Sequence, residues 1–451
     1  KLGACLAEAE PAAFIGIPKA HTARLLLGWA RRSVRINVTV GRRVWGTHGY
    51  HALMARTPSV KFATADTTAD ETAAILFTSG STGPPKGVVY THGNFDSQVD
   101  CLSQTFGFGP GERDLATFPL FALFDPALGV TALIPDMDPT RPATADPAKL
   151  LATIEEFGAT SMFGSPALVD RLSRHTLANG ITLPSLRRVI CAGDAVPPRV
   201  LGQMAAALVD GAEVFTPYGA TESLPNCSIG SREILAETAA KTARGYGVCV
   251  GWPVAGAEVH VIGIQDGPID RWEDSLRLPV GEVGEIVVKG ARVTARYYGR
   301  DDLTRTAKIV DPAGGFFHRM GDLGKFDESG RMWYCGRVSH RVQAESATLF
   351  TICCEAVFNN HPKVFRTALV GIGEPPRQTP VICVELENRH RRADRQTLIR
   401  ELRELGVQHP HAAGIEHFIF HRGFPVDARH NSKILREKLR PWAARRIPCK
   451  H

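Results

Sequence analysis

One eleven-residue run, Phe77-Thr-Ser-Gly-Ser-Thr-Gly-Pro-Pro-Lys-Gly87, limits what this 451-residue chain can fold into more than any other feature. It follows the apolar, strand-like Ala73-Ala-Ile-Leu-Phe77 and leads into a second strand-like segment, Val88-Val-Tyr90. The run carries three Gly, two Ser, two Thr and one Lys. Glycine lets backbone N–H groups approach a bound group closely, hydroxyls donate, and an ammonium neutralises charge, so the loop supplies what a polyphosphate needs. A Walker-type P-loop is excluded, because that motif needs four residues between Gly and Gly-Lys and then a helix. A polar turn between two strands is the alternative, and it leaves the convergence of hydroxyls and Lys86 unexplained.

Short β-rich runs alternate with amphipathic stretches over most of the chain. Arg188-Val-Ile-Cys-Ala192 and Glu213-Val-Phe-Thr216 read as strands, and Val99, Leu102 and Phe106 lie at helical spacing after a candidate Asn94 cap. Buried strands alternating with helices predict α/β layers. From Ala257–Ile262 to Gly284–Lys289 the strands become close-set, predicting a smaller β subdomain. Beyond Arg337, the strands Thr367–Gly371 and Val381–Leu386 and the helix Arg395–Leu405 suffice for a small α+β domain. The expected division is therefore 1–337 and 338–451.

Composition narrows the class. The chain is 44% hydrophobic and 22% charged, which excludes a disordered polymer. Its longest apolar stretch, Leu115–Pro135, is broken by Pro119, Asp125, Pro126 and Gly129, whereas a bilayer span wants ~20 uninterrupted apolar residues. No transmembrane segment is expected, and the stretch reads as core or substrate pocket. The ten Cys show no C-x2-C pair or metal-ligand spacing, as for the reduced thiols of a cytoplasmic protein. From Val338 onward there are 19 basic and 11 acidic residues, so the net charge of +7 is concentrated in the last quarter. The basic residues are not interleaved with aromatics, which argues against nucleic acid as a partner.

The phosphate loop resembles that of the adenylate-forming superfamily, which unites acyl-CoA synthetases, luciferases and peptide-synthetase adenylation domains. Further motifs follow in the order that resemblance requires. Tyr218-Gly-Ala-Thr-Glu222 is similar to the family's Y-G-x-T-E, which implies Tyr218 on adenine, Thr221 at the α-phosphate and Glu222 on Mg²⁺, with Gly219 in the turn. Gly193-Asp194-Ala195 resembles the adenine-lining turn, with Asp194 where a second Gly is commoner. Gly281–Gly290 resembles a structural β motif. Met320-Gly-Asp-Leu-Gly324 implies Asp322 on both ribose hydroxyls, and Gly336-Arg337 implies Arg337 near ribose or phosphate. Pro425–Lys433 resembles the segment whose lysine, here Lys433, reaches the substrate carboxylate and α-phosphate; Ser432 replaces the usual Gly. Thr78, Ser79, Gly80, Ser81, Thr82, Gly83 and Lys86 would hold ATP. The resemblance implies a large adenylation domain, layered α/β with a small β subdomain, under a small mobile α+β lid. It also implies that the chain opens inside that first domain, because the family extends further upstream, and it recasts the basic last quarter as the charge of a lid.

Two departures narrow the chemistry. Ala122, within Phe118–Phe124, replaces a His common in acyl-CoA synthetases, and Glu345 and Ser346 replace hinge-loop glycines of the thiol-accepting relatives. A carboxylate and a Cβ there crowd the approach of a thiol cofactor. The pattern, including Phe118–Pro126, Ile134–Pro139 and Gly336–Glu355, resembles the β-lactone-forming ligases of bacterial long-chain olefin biosynthesis. Those activate a 2-alkyl-3-hydroxy fatty acid with ATP, and the substrate's own hydroxyl then displaces AMP. By the same resemblance, other enzymes of the olefin pathway are expected partners. A fatty acyl-AMP ligase, an acyl-CoA synthetase, or a non-catalytic nucleotide or lipid binder are the alternatives. His92, His318 and Asp125 are candidates for the base that takes the hydroxyl proton.

Overall fold

The computed structural model describes residues 2–57, 62–78, 85–426 and 433–447. The chain divides into two compact units, Lys1–Asp96 with Thr294–Thr306, and Ser97–Val293 with Ala307–His451.

The first unit opens with α1 (Leu2–Ala9), then β1 (Ala13–Gly16), α2 (Pro18–Leu27), β2 (Ile36–Thr39), β3 (His48–Gly49) and α3 (Tyr50–Arg56). The three strands form a parallel sheet in the order β1-β2-β3. An antiparallel hairpin follows, β4 (Thr72–Phe77) and β5 (Gly87–Thr91), pairing Leu76 with Val88 and Phe77 with Gly87. Both strands predicted around the phosphate loop are therefore present. The returning segment covers the far edge of β5: the Val89 N–H donates to Arg296 O (3.1 Å) and the Tyr298 N–H to Gly87 O (2.7 Å). Helix α4 (His92–Phe106) starts two residues before the predicted Asn94 cap. Thr91 is the cap: its Oγ1 accepts from the Asn94 N–H (3.2 Å), while Asn94 Oδ1 accepts from the Thr91 N–H (3.0 Å). This reciprocal box satisfies two backbone donors at once, which a cap at Asn94 could not do.

The second unit begins with β6 (Arg113–Ala116), β7 (Thr131–Leu133), α5 (Pro147–Phe157), β8 (Ser161–Gly164), α6 (Pro166–Asn179), β9 (Arg188–Cys191), α7 (Pro198–Ala205) and β10 (Glu213–Phe215). The strands form one parallel sheet in the order β10-β9-β8-β6-β7. Helix boundaries follow side-chain chemistry. Asp146 and Ser165 cap α5 and α6, each ahead of a proline at the first helical position, and Gly158 and Gly180 close them in the left-handed region. Leu150, Ile154, Met162, Leu168, Leu172, Val189 and Leu201 fill the space between sheet and helices.

Next come β11 (Tyr218–Ala220), β12 (Ser223–Ser228), α8 (Ser231–Glu233), a π-turn (Ile234–Thr238), α9 (Ala239–Ala243), β13 (Val248–Pro253), β14 (Glu258–Ile262) and β15 (Gly284–Lys289); then, past α10 (Asp301–Ala307), which up to Thr306 belongs to the first unit, β16 (Lys308–Val310), β17 (Phe316–Phe326) and β18 (Met332–Arg337). The strands build an antiparallel sheet ordered β11-β12-β13-β18-β17-β15-β14, with β16 beside β17. The close-set strands predicted between 257 and 289 are β14 and β15, paired from Glu258–Lys289 to Ile262–Glu285.

The last segment holds the hairpin β19 (Val342–Gln343) and β20 (Thr348–Leu349), then α11 (Thr351–Asn359), β21 (Val364–Ile372), β22 (Thr379–Leu386), α12 (Arg395–Val407), β23 (His417–His421) and α13 (Arg436–Ala444). Strands β21, β22 and β23 form a sheet with α11 and α12 packed through Val357, Phe358, Leu369, Leu398 and Leu402, and α13 through Leu439 and Ala443. The nine cysteines among the described residues are buried and free. No helix among them is long and apolar enough to cross a membrane.

Candidate active site

Ligands of parallel α/β sheets bind outside the carboxyl ends of the strands. Here those ends carry Phe163 (β8), Ile190 (β9) and Phe215 (β10), which cluster with Phe106, Phe118 and Phe121. Phe121 stacks on Phe163 at 3.7 Å between ring centroids, and Phe118 lies 6.0 Å from Phe121. Part of the segment predicted as core or substrate pocket, Phe118 and Phe121, thus packs as an aromatic cluster at the carboxyl ends of these strands. Past the end of β9 the exposed Gly193-Asp194-Ala195 turn begins at a Gly193 with φ 107°, and Asp194 Oδ1 accepts from the Ala195 N–H (2.9 Å).

The adjoining antiparallel sheet supplies the polar groups. Tyr218 lies on β11 and Thr221-Glu222 form the tip between β11 and β12. A Cβ on Gly219 would meet both Leu224 Cβ and Ser223 O at 2.7 Å, so that position admits only glycine; its role is to let the hairpin close. Asp322 on β17 pairs in register with Arg337 on β18. The Tyr218 hydroxyl donates to Asp322 Oδ2 (2.9 Å), and Arg337 Nε lies 3.7 Å from Oδ1. That Oδ1 is buried and accepts no hydrogen bond from a described residue. Burial pushes the Asp322 carboxyl up, while Arg337, the Tyr218 hydroxyl and Lys433 pull it back. Lys433 therefore acts on Asp322, more than a hundred positions away in sequence, as does Glu222 with opposite sign. A buried carboxylate with one oxygen still open suits two adjacent hydroxyl donors.

In the first unit, Thr78 and Lys86 close the base of the phosphate hairpin. The Thr78 N–H donates to Lys86 O (3.0 Å) and the Lys86 N–H to Thr78 Oγ1 (3.3 Å). Lys86 Nζ stands 5.0 Å from the Tyr297 ring centroid. Ser79, Gly80, Ser81, Thr82 and Gly83 lie outside the described residues.

Four residues that sequence reasoning did not single out belong to the same cluster. Tyr334, on β18, lies 6.1 Å from Tyr218 between ring centroids, and burial pushes its hydroxyl up. His340 is pushed down to about 3 by burial, then by Arg436 and Arg337. Arg436 pairs with the buried Glu355. Lys308, at the start of β16, is pushed down to about 7 by burial while Glu222 pulls it up. Of the three base candidates, Asp125 is pushed up to about 7 by burial and then by Asp114, a residue of β6, and no group of the Asp322 cluster figures among those causes. His318 is buried, with Nδ1 3.1 Å from Ala307 O. His92 opens α4.

A glutamate at a hairpin tip beside a threonine hydroxyl fits a magnesium ion that draws its remaining oxygens from phosphates and water. No cluster of three or more acidic, His or Cys ligands exists among the described residues.

Comparison with known proteins agrees with this geometry. The family of AMP-binding enzymes matches residues 1–298. The chain is 50% identical to an olefin β-lactone synthetase of Xanthomonas campestris over 98% of its length and 79% of that protein. It is 49% identical to one of Stenotrophomonas maltophilia with the same coverage. Among solved structures it is similar to the amide bond synthetase McbA of Marinactinospora thermotolerans, with a TM-score of 0.76 and 25% identity over 98% of this chain and 82% of that one. An O-succinylbenzoate coenzyme A synthetase of Bacillus subtilis, solved with ATP and magnesium ion, shares the fold with a TM-score of 0.74 and 19% identity over 97% of this chain and 81% of that one. With its aromatic cluster, its Tyr218–Asp322–Arg337 cluster and these relatives, the chain belongs to the AMP-binding enzyme family, the adenylate-forming ligases.

Proposed function

We propose that this protein is an olefin β-lactone synthetase: it activates a 2-alkyl-3-hydroxy fatty acid as the acyl-adenylate and closes it to a β-lactone. The observation that carries this reading is 50% identity to an enzyme of that name across 98% of the chain; the Tyr218–Asp322 and Arg337–Asp322 contacts, and the pull of Lys433 on the Asp322 carboxyl, support it. In the first half-reaction a carboxylate oxygen of the acid attacks the α-phosphorus of ATP, and the bond to pyrophosphate breaks. Asp322 accepts from the ribose hydroxyls and Arg337 lies beside them. Tyr218 packs on the adenine, alongside Gly193-Asp194-Ala195. Thr221 donates to the α-phosphate, and the loop from Thr78 through Lys86 cradles the β- and γ-phosphates. Lys433 neutralises charge on the carboxylate and α-phosphate as the bond forms. Glu222 would hold Mg²⁺, which when bound supplies positive charge to the phosphate oxygens.

In the second half-reaction the β-hydroxyl oxygen attacks the acyl carbon, its proton leaves to a base, and AMP departs with the bonding pair. A four-membered ring is strained, so the hydroxyl must be held in a near-attack geometry. The wall of Phe118, Phe121 and Phe163 is the surface on which the alkyl arms would be fixed. Residues 1–337 form the adenylation domain and 338–451 the lid, working in the cytoplasm; the other enzymes of the olefin pathway are the expected partners, to be sought by co-purification.

Purified protein with ATP, Mg²⁺ and a 2-alkyl-3-hydroxy fatty acid should release AMP and β-lactone without coenzyme A. Thioester formation that depends on coenzyme A would assign it to the acyl-CoA synthetases instead.

A further inference from the structure

Among the described residues, a buried ion pair lies close in sequence to Lys433. Arg436, the first residue of α13, places Nη2 2.6 Å from both carboxylate oxygens of Glu355 on α11. The side chains are 13% and 6% exposed. Glu355 Oε1 also accepts from the Leu369 N–H on β21 (2.7 Å). One carboxylate therefore ties α11, β21 and α13 together. Burial pushes Glu355 up, and Arg436 pulls it back.

A buried ion pair is poor value as simple glue, since two apolar side chains of similar volume often hold a core as well or better. What the pair adds is register, because a carboxylate gripped on both oxygens fixes where the partner's backbone can stand. Arg436 lies only three positions beyond Lys433, a reach of about 10 Å at full extension. That short lead is itself held: Ile434 bridges to Val426, and the Leu435 N–H donates to Pro425 O (2.9 Å). Arg436 also acts electrostatically on Tyr334 and His340, while Lys433 acts on Asp322.

We propose that the Glu355–Arg436 pair is the positioning element for Lys433, fixing the register of residues 433–436 so that the ammonium meets the substrate carboxylate and α-phosphate. This rests on the reading of Lys433 given above. The two residues touch no substrate. They act through the backbone that delivers the lysine, and they serve the adenylation half-reaction alone.

The test measures the halves separately, as ATP–pyrophosphate exchange and as lactone formation from supplied acyl-adenylate. Glu355→Gln and Arg436→Lys should each slow exchange about 10- to 100-fold, with KM for ATP and use of supplied adenylate within about twofold of wild type. The double variant Glu355→Leu/Arg436→Met separates fold from register: it should be thermally more stable than either single variant, short of wild type by the Leu369 N–H it leaves unpaired, while exchange stays slow. On a Lys433→Ala background, Glu355→Gln should slow exchange no further. Recovery of exchange in the apolar double variant, or additive losses on the Lys433→Ala background, would overturn the proposal. If Lys433→Ala itself exchanges normally, the reading of Lys433 fails instead; if it is crippled while the pair variants are normal, only the positioning role fails.

Discussion

Replacing Asp322 with asparagine should separate nucleotide recognition from stability. Its Oδ2 takes the Tyr218 hydroxyl at 2.9 Å, Oδ1 accepts no hydrogen bond from a described residue, and Arg337 Nε stands 3.7 Å away. A ribose diol would donate two charge-assisted hydrogen bonds to this carboxylate, each worth about 1.5–3 kcal/mol. An amide keeps one acceptor oxygen without charge, so about 2–3 kcal/mol of binding should vanish. That is roughly a 30- to 150-fold weaker affinity for ATP. The free protein should hardly notice, because burial already pushes the carboxyl up and the amide removes that cost while losing the Arg337 attraction. The assay is calorimetric titration with ATP, 2′-deoxy-ATP and 3′-deoxy-ATP, beside urea unfolding of the free protein. Wild type should bind each deoxynucleotide about tenfold or more weakly than ATP. Asp322→Asn should discriminate by threefold or less, with unfolding free energy within about 1 kcal/mol of wild type. Undiminished discrimination in the variant would refute the assignment of Asp322 to the ribose.

Three further outcomes are expected. Lys433→Ala should lower pyrophosphate exchange about 10²- to 10³-fold while leaving ATP affinity within about twofold, as measured by equilibrium titration. Glu222→Gln should raise the Mg²⁺ concentration for half-maximal exchange about 10- to 100-fold, read from a metal titration at saturating ATP. His340 is held down to about 3, against about 6.5 when exposed, so the unfolded chain takes up a proton that the folded chain refuses. Its contribution to stability is therefore intact above pH 6.5 and lost as pH falls. His340→Asn should remove about 2 kcal/mol of the stability loss between pH 7 and pH 5, seen by urea unfolding at both.

The local grammar of this chain was readable because it is local. The hairpin around the phosphate loop, the strands β9, β10, β14 and β15, and helix α12 follow from apolar runs and turn residues within a dozen positions. The start of α4 was misplaced because Asn94 and Thr91 are both good caps, and only the reciprocal bonds choose between them. The ordered motifs pointed to Tyr218, Asp322, Arg337 and Lys433, which the fold brings into one cluster. Tyr334, His340 and the Glu355–Arg436 pair escaped for a different reason. A tyrosine within a strand or a glutamate within a helix looks like any other, and its meaning comes from partners on other elements. Asp125 shows what the sequence leaves open: a carboxyl in an apolar run is pushed up to about 7 by burial and then by Asp114, and neither cause is visible in the run itself.

The segment that follows β18 bears on which acceptor this enzyme serves. Gly336 has φ 131°, and a Cβ there would strike Thr351 Oγ1, so the end of β18 requires glycine. The tip between β19 and β20 makes no such demand. It is closed by the Ala344 N–H donating to Ala347 O (3.0 Å), and neither Glu345 nor Ser346 has positive φ. The departure from glycine at the tip therefore costs the fold nothing, whereas at Gly336 it would be strained. A turn that need not be glycine for its own geometry keeps glycine only where something must pass close to it. Carrying an exposed carboxylate at that tip is compatible with an acceptor that never travels along the lid. A β-hydroxyl already attached to the acyl group meets that condition. It needs a surface to hold its chain, the role proposed for the packed rings of Phe118, Phe121 and Phe163, and no passage for a second substrate.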